Sequence, residues 1–198
     1  MSTKPSAQIP ASLPPVFTYS DAIAVGLSAD RLYHYRDEGL LEQLGRGLYR
    51  RANASPADHN LLEIAHRAPE GTMCLTTALA RHGLTDVIPD RIDIAIPRGR
   101  RIPALQSPAS IHVFAKDAFY LGRGVIQVGD DLTLGLYSAE RSLIDMIRLN
   151  HREGAAIAWE ALRRWLRRQG ARPAALIEMA RSFHGAETAV HHALEVVQ

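Results

Sequence analysis

The sequence predicts an α+β protein, in which an N-terminal winged helix-turn-helix precedes a larger α+β domain with a small, mostly antiparallel sheet and a helical C-terminal end. Three observations predict this fold class. Residues 28–51 have the pattern of a helix, a glycine stop and a tight basic hairpin. Apolar and polar residues alternate along segments between residues 90 and 137, as in strands, and helical spacing dominates from Ser138 onward.

The predicted organisation is an arm followed by two domains. Residues 1–15 are rich in Pro, Ser and Ala and have little periodicity, so we expect a flexible arm. This segment barely supplies the additional helix that a winged helix usually has at this point. The winged helix is predicted at residues 16–53 and the C-terminal domain at residues 55–198.

Two short helices joined by a glycine turn form the predicted helix-turn-helix. The first helix covers residues 21–25 and ends at Gly26, a residue that readily adopts the left-handed conformation of a helix end. Ser28 can cap the second helix, which runs to about Asp37. The second helix is therefore the predicted recognition helix.

This second helix has an apolar side and a polar side. Leu32 and Tyr35 recur at helical spacing and should pack in the core together with Ile23. The DNA contacts predicted for the polar side and the N-cap are Ser28, Arg31, Tyr33, His34 and Arg36.

A tight basic hairpin follows. Residues 40–44 and 48–51 have the composition of two short strands, and the intervening Gly45-Arg46-Gly47 permits the positive φ angles of a tight turn. A winged helix places such a turn against the phosphate backbone or in the minor groove. The DNA contacts predicted for the hairpin are Arg46 at its tip and Arg50 and Arg51 on the returning strand.

Overall charge sets few limits on function. The formal net charge is +2, from 23 basic and 21 acidic residues, so only the placement of charge can indicate a nucleic-acid partner. Asp30, Asp37 and Glu38 lie among the basic residues of the predicted interface and should reduce the affinity of a single copy. All basic residues except Lys4 and Lys116 are arginines, which suit phosphates and guanine edges but also follow from a GC-rich genome.

Cysteine content and hydropathy disfavour several classes of protein. Cys74 is the only cysteine, so neither an internal disulfide nor a cysteine zinc cluster can form. The sequence has no basic n-region followed by an apolar core and no apolar run near the roughly 20 residues that span a bilayer. We therefore expect a cytoplasmic protein without a signal peptide or a membrane partner.

Four predicted strands are followed by four predicted helices in the second domain. The strands are expected at residues 92–96, 111–114, 125–128 and 132–137. The helices are expected from Ser138 to about residue 147 and at residues 155–168, 173–183 and 186–197. Helices on one side of a sheet would complete this domain.

Two groups of arginines are possible partner surfaces of this domain. The group in the loop after the first of these strands comprises Arg98, Arg100 and Arg101. The group on a helix around Trp165 comprises Arg163, Arg164, Arg167 and Arg168, which form one broad face. This face is either a solvated surface near a helix C-terminus or a docking surface for an acidic protein or nucleic acid.

No catalytic residue, metal site or cofactor is expected, and the chain is predicted not to be an enzyme. A nucleotidyltransferase needs Gly-Ser and then Asp-x-Asp, whereas Asp90 and Asp93 are spaced Asp-x-x-Asp and would point to opposite faces of a strand. His191 and His192 cannot both reach one metal from a helix. Asp145 is expected to be a helix cap or a buried ion-pair partner.

Two sets of residues carry a resemblance to a known family. They are Gly26-Leu27-Ser28, Leu32, Gly39-x-Leu41 and Gly45-Arg46-Gly47-Leu48-Tyr49 in the first domain, and Ala78-Leu79-x-x-His82-Gly83-Leu84 and Ser138-Ala139-Glu140-Arg141-Ser142-Leu143-Ile144-Asp145 in the second. Together, over about residues 17–183, they resemble the AbiE antitoxin family (AbiEi-like) of bacterial type IV toxin–antitoxin systems, which act in phage defence.

The resemblance implies two functions. The N-terminal domain would repress its own operon by binding inverted repeats in double-stranded promoter DNA, as a monomer or weak dimer that binds cooperatively. The C-terminal domain would counteract a nucleotidyltransferase-like toxin without needing a stable complex with it. The resemblance carries over no antitoxin residues of the C-terminal domain.

Two alternatives stay open at this point. A stand-alone winged-helix transcriptional regulator would use its C-terminal domain to sense a ligand or a partner. An interaction module would have kept the helix-turn-hairpin for protein contacts and lost DNA binding. A neighbouring gene for a nucleotidyltransferase-like toxin would favour the antitoxin over the plain regulator.

Overall fold

The computed structural model describes residues 8–149 and 155–197. Within these ranges the chain forms eight helices and eight strands, which confirms the predicted α+β class. No helix in these ranges is long and apolar enough to cross a membrane.

By their internal contacts the residues group into two units. The first unit comprises the chain up to Pro69 together with Ala104–Ser107 and Gln127–Thr133, and the second unit comprises the rest of the chain. The predicted domain ranges, 16–53 and 55–198, stay a prediction, since these units are defined by contacts alone.

The first unit contains a small sheet and three helices. In chain order its elements are β1 (Val16–Thr18), α1 (Tyr19–Ala24), α2 (Ala29–Asp37), β2 (Leu41–Gly45), β3 (Leu48–Arg51) and α3 (His59–Arg67). The strands form an antiparallel sheet in the order β1-β3-β2. The predicted hairpin is thus confirmed, and the helix pair α1–α2 directly precedes it.

Local hydrogen bonds set the starts of the helix pair. Thr18 Oγ1 accepts from the backbone N–H of Asp21 at 3.1 Å, and the Asp21 carboxylate accepts from the N–H of Thr18 at 2.8 Å, which is a capping box. Gly26, with φ at +84°, lets the chain turn between the helices. Ser28 Oγ accepts from the N–H of Arg31 at 3.4 Å and so caps α2, as predicted.

The core of the first unit contains the apolar side of α2. Leu32 and Tyr35 are almost fully buried, as predicted, in one cluster with Phe17 of β1. Ile23 is 42% exposed, so its predicted place in the core is wrong. The chain enters α1 directly from β1, and the inward face of this short helix passes through the fully buried Ala22 instead.

Residues 8–15 differ from the expected flexible arm. Leu13 is only 4% exposed and packs into the core of the first unit. Arg51 Nη2 donates to the carbonyls of Pro10 at 2.5 Å and Leu13 at 2.9 Å. These contacts hold the segment in place, while residues 1–7 of the predicted arm lie outside the described residues.

The second unit contains a mixed sheet and five helices. Its elements are β4 (Thr72–Met73), α4 (Leu75–Arg81), β5 (Ile92–Pro97), β6 (Ala109–Phe114), β7 (Arg123–Gln127), β8 (Thr133–Tyr137), α5 (Ala139–Arg148), α6 (Ala155–Leu166), α7 (Pro173–Ala180) and α8 (Ala186–Val197). The strand order is β6-β5-β4-β8-β7.

The pairing in this sheet corrects the expectation of mostly antiparallel strands. β4 pairs antiparallel with β5, whereas β5 with β6 and β4 with β8 are parallel pairs. Parallel neighbours need a connection that returns the chain to the same end of the sheet. Segment 98–108, between β5 and β6, is long enough to provide one.

A buried ion-pair network connects α5 to the loop before β7. Arg141 and Asp145 are at most 1% exposed, and Arg141 Nε donates to Asp145 Oδ2 at 2.8 Å. Arg148 Nε donates to Asp145 Oδ1 at 2.8 Å. Arg141 Nη1 also donates to the carbonyls of Ala118 and Leu121, both at 2.7 Å. Asp145 is therefore a buried ion-pair partner, as predicted.

Candidate nucleic-acid interface

The outward face of α2 carries aromatic, imidazole and acidic side chains. Leu32 and Tyr35 turn toward the core, so at about 100° per residue the intervening Tyr33 and His34 point away from it. Tyr33 is 40% exposed, and His34 is exposed as well. Asp30 and Asp37, both exposed, fall on the same face. The centre of the predicted recognition surface is thus not basic.

Arg31 lies on one flank of this face and is oriented by an aromatic neighbour. Its Nη2 donates to the hydroxyl of Tyr35 at 2.7 Å, and its Cζ lies 5.7 Å from the centroid of that ring. The Tyr35 hydroxyl donates in turn to the carbonyl of Gln8 at 3.2 Å. Arg31 is exposed, so its other nitrogens can still donate to a phosphate.

Arg36 lies on the opposite flank beside a carboxylate. Its Nε donates to Asp37 Oδ1 at 2.9 Å, and its Cζ lies 5.1 Å from the centroid of the Tyr33 ring. The contact with Asp37 raises the pKa of Arg36 above its usual value. Because Asp37 offsets its charge, Arg36 attracts phosphate less than an unpaired arginine would.

The turn of the hairpin is held by its backbone and leaves one arginine side chain free. Of the two glycines that the sequence predicted to permit positive φ angles here, Gly47 has one, at +66°, whereas Gly45 does not. The carbonyl of Gly47 accepts from the N–H of Tyr19 at 2.9 Å, and that of Arg46 accepts from Arg67 Nη2 at 2.7 Å. The exposed Arg46 side chain has no partner among the residues that the structure describes and is available to a ligand.

The other two arginines of the hairpin are used inside the first unit. Arg50 is 5% exposed, and its guanidinium donates to Glu42 Oε2 at 2.5 Å and to the carbonyls of Ala54 and Ser55 at 2.9 and 2.5 Å. Arg51 binds carbonyls of the N-terminal segment. Arg50 lies opposite Glu42 in the hairpin, and the carbonyls of residues 54 and 55 close over its guanidinium, whereas Arg51 is only half-buried. The structure therefore does not place these two arginines in an exposed interface.

A groove joins α2 to the hairpin and adds residues that the sequence reasoning missed. This α2–hairpin groove is lined by Thr18, Tyr19, Ser20, Tyr33, Arg36, Gln43, Arg46, Gly47 and Tyr49. Tyr19 and Gln43 are exposed and were not predicted, although Tyr19 could have been found as the first residue after the capping Thr18. Burial raises the pKa of Tyr49, so its hydroxyl stays protonated. The groove combines two cationic side chains with hydroxyl and amide groups, which suits a sugar–phosphate backbone.

The loop arginines predicted as a partner surface are only partly free. Arg98 and Arg101 are exposed and have no side-chain partner within the described ranges. Arg100 Nε lies 2.5 Å from Glu70 Oε2 in an ion pair. Two of the three therefore keep their charge available.

The helix arginines do not form the single broad face that the sequence predicted. Arg164 pairs with Asp86 at 2.5 Å and with Glu160 at 2.9 Å. Arg168 donates to the backbone carbonyl of His82. The exposed arginines without a side-chain partner among the described residues are Arg163 and Arg167. Two of the four arginines of the predicted face, Arg164 and Arg168, thus bind other segments of the second unit.

A comparison with protein families matches one segment of the first unit. Residues 11–52 match the model of a family described as transcriptional regulator, AbiEi antitoxin. The matched segment contains β1, α1, α2 and both strands of the hairpin. It confirms, for this part of the chain, the resemblance predicted from the sequence. No curated protein is significantly similar to the chain.

Proposed function

We propose that this chain, whose residues 11–52 match AbiEi antitoxin regulators, represses its own operon by binding inverted repeats in promoter DNA and counteracts a nucleotidyltransferase-like toxin. One observation carries the proposal. The segment that matches the family is also the segment that forms the helix pair and the hairpin, and the outward side of α2 and the hairpin turn are exposed there. DNA binding is assigned to this segment, and toxin counteraction to residues 55–198.

The exposed side chains favour different contacts with DNA, some with base edges and others with the phosphate backbone. With α2 in the major groove, Tyr33 and His34 face base edges, and Arg31 and the α2 N-terminus at Ser28 lie near the backbone. Arg36 and Arg46 contact phosphates through the α2–hairpin groove. An inverted repeat takes two copies, and cooperation between them offsets the weak binding of one mixed-charge surface.

We expect Arg46→Ala to weaken binding to the promoter repeat and to random duplex alike, by about 1 kcal/mol or roughly fivefold in Kd for each bound copy. The side chain lies at the turn, where it meets the backbone and not the bases. The slope of log K against log salt concentration should fall by about 1 as well. Fluorescence anisotropy with both duplexes at several salt concentrations measures this.

His34→Ala and Arg163→Ala are the matched comparisons. His34→Ala should reduce binding to the promoter repeat more than to random duplex, because His34 faces the bases. Arg163→Ala removes the same charge as Arg46→Ala from an exposed position on α6 and should leave both affinities unchanged. Equal losses for Arg46→Ala and Arg163→Ala would show that overall charge, and not the hairpin, governs binding.

Co-expression with the neighbouring toxin tests the antitoxin function. We expect the full-length chain to restore growth, and the His34→Ala, Arg46→Ala double variant to restore it equally when both genes have unrelated promoters. Neither residue belongs to the domain that is assigned the antitoxin function. No rescue by the wild-type chain would contradict toxin counteraction and leave promoter binding as a separate result.

A second candidate function is a stand-alone regulator whose C-terminal domain senses a ligand. One observation favours it: the second unit contains a cavity lined by arginine, histidine and apolar side chains. A promoter-binding chain without any effect on a toxin would fit this function.

A further inference from the structure

The cavity in the second unit is lined by several groups that bind anions. Its volume is about 590 Å³, within the range of small-molecule sites. Residues of β6, the C-terminal end of α5 and the turn at residues 182–184 form its walls. Its ionisable lining residues are Arg98, His112, Asp117, Arg141, Arg148 and His184.

Two of these arginines are fixed by the protein and still have unused donors. Arg141 uses Nε and Nη1 for Asp145 and two carbonyls, and its Nη2 has no hydrogen-bond partner in the described part of the chain. No fully enclosed side-chain nitrogen or oxygen there lacks a partner, so this Nη2 keeps a small accessible area, and Arg141 belongs to the lining of the cavity although the residue as a whole is only 1% exposed. Arg148 uses only Nε, which leaves both of its terminal nitrogens for a ligand.

Nearby carboxylates do not use up these donors. Both oxygens of Asp145 are already occupied by arginine Nε atoms. Asp93 Oδ1 lies 3.0 Å from His112 Nε2, outside the lining of the cavity. Asp117 is exposed and accepts a backbone N–H, and the exposed Arg98 has no side-chain partner within the described ranges. The groups left for a ligand are therefore mainly cationic donors.

Aromatic rings support the two fixed arginines, and apolar side chains complete the wall. The Cζ atoms of Arg141 and Arg148 lie 4.2 and 5.7 Å from the Phe183 centroid, and both lie 5.6 Å from the Phe114 centroid. The rings hold the guanidinium planes in place. Val113, which is 46% exposed, adds apolar surface to the lining.

We propose that this cavity binds a nucleoside phosphate. The phosphate chain would bind to Arg98, Arg141 and Arg148, because planar guanidinium groups match phosphate oxygens with paired hydrogen bonds. A single carboxylate ligand has too few oxygen atoms to accept hydrogen bonds from all three guanidinium groups. Their number therefore favours a polyphosphate ligand. The apolar wall at Val113 would accommodate the nucleoside. All of these residues belong to the second unit, so the proposal is independent of DNA binding.

Calorimetric titration of the full-length chain with each ribonucleoside triphosphate, and with pyrophosphate alone, tests the proposal. We expect at least one nucleoside triphosphate to bind with micromolar affinity, and pyrophosphate to bind at least about tenfold more weakly because it lacks both the nucleoside and one phosphate. Arg98→Gln should weaken nucleotide binding about tenfold or more, since it removes a charged donor from an exposed position without disturbing the buried network.

Arg163→Gln is the matched control, because it makes the same substitution at an exposed position of the second unit outside the cavity lining. It should leave nucleotide affinity within about twofold of the wild type. No binding of any nucleoside triphosphate at millimolar concentration would overturn the proposal, as would equal losses in Arg98→Gln and Arg163→Gln. Pyrophosphate that binds as tightly as the nucleotides would overturn the nucleoside assignment.

Discussion

Arg141→Met is expected to lower the free energy of unfolding of the second unit by about 3–5 kcal/mol. The guanidinium is buried, is paired with the buried Asp145 and donates to two carbonyls of the loop before β7. Methionine would fill much of the volume but leave one carboxylate oxygen and both carbonyls without a donor. Urea unfolding followed by far-UV circular dichroism and Trp fluorescence measures the change.

A surface arginine that is paired with two glutamates provides the control for this substitution. Arg181 is paired with Glu178 and Glu187 at the surface, so Arg181→Met should shift the midpoint of urea unfolding far less than Arg141→Met does. A loss of similar size in both variants would mean that the Arg141 network is no more important to stability than a surface ion pair.

Glu63→Gln is expected to destabilise the first unit by about 1–3 kcal/mol. The fully buried carboxylate of Glu63 accepts from the N–H and hydroxyl of Ser107, from the N–H of Gln106 and from Arg67 Nε. An amide would turn two donor hydrogens toward groups that are themselves donors. Chemical unfolding at neutral pH measures the loss, with Glu178→Gln at the surface as the control.

The same residue makes the stability of the first unit depend on pH. Burial alone would raise the pKa of Glu63, but hydrogen bonds from Ser107 and Gln106 and the charge of Arg67 outweigh it and hold the pKa below the ordinary 4.5. The stabilisation that the ionised Glu63 carboxylate contributes is therefore complete above about pH 4.5, the ordinary pKa of glutamate. It is lost as the pH falls from there through the lowered pKa of the folded protein. The Glu63→Gln variant should lose less stability than the wild type over this acidic range.

Local patterns in the sequence were sufficient to predict the helix pair and the hairpin. The cap at Ser28 and the glycines at positions 26 and 47 act within a few residues of their own positions, and the structure has them in those roles. The helix at Ala186–Val197 was likewise predicted from its own apolar spacing. Such features depend little on the rest of the chain.

Features that depend on distant segments could not be predicted in this way. Arg46 and Arg50 look alike in the sequence, yet Arg46 is exposed at the turn and Arg50 is enclosed, because its guanidinium binds Glu42 and the carbonyls of residues 54 and 55. The parallel pairing of β5 with β6 is set by where segment 98–108 returns the chain. Likewise, Arg98 and Arg148 are 50 positions apart, and only the fold brings them to one cavity.

The packed segment at residues 8–15 has a consequence for the stability of α2 and the hairpin. Carbonyls of Gln8, Pro10 and Leu13 hold Tyr35 of α2 and Arg51 of the hairpin in place. A chain without residues 1–13 would lack these anchors and the apolar core side chain of Leu13. Loss of this short segment would thus loosen α2 and the hairpin, on which the proposed DNA contacts lie, while leaving the remainder of the polypeptide continuous.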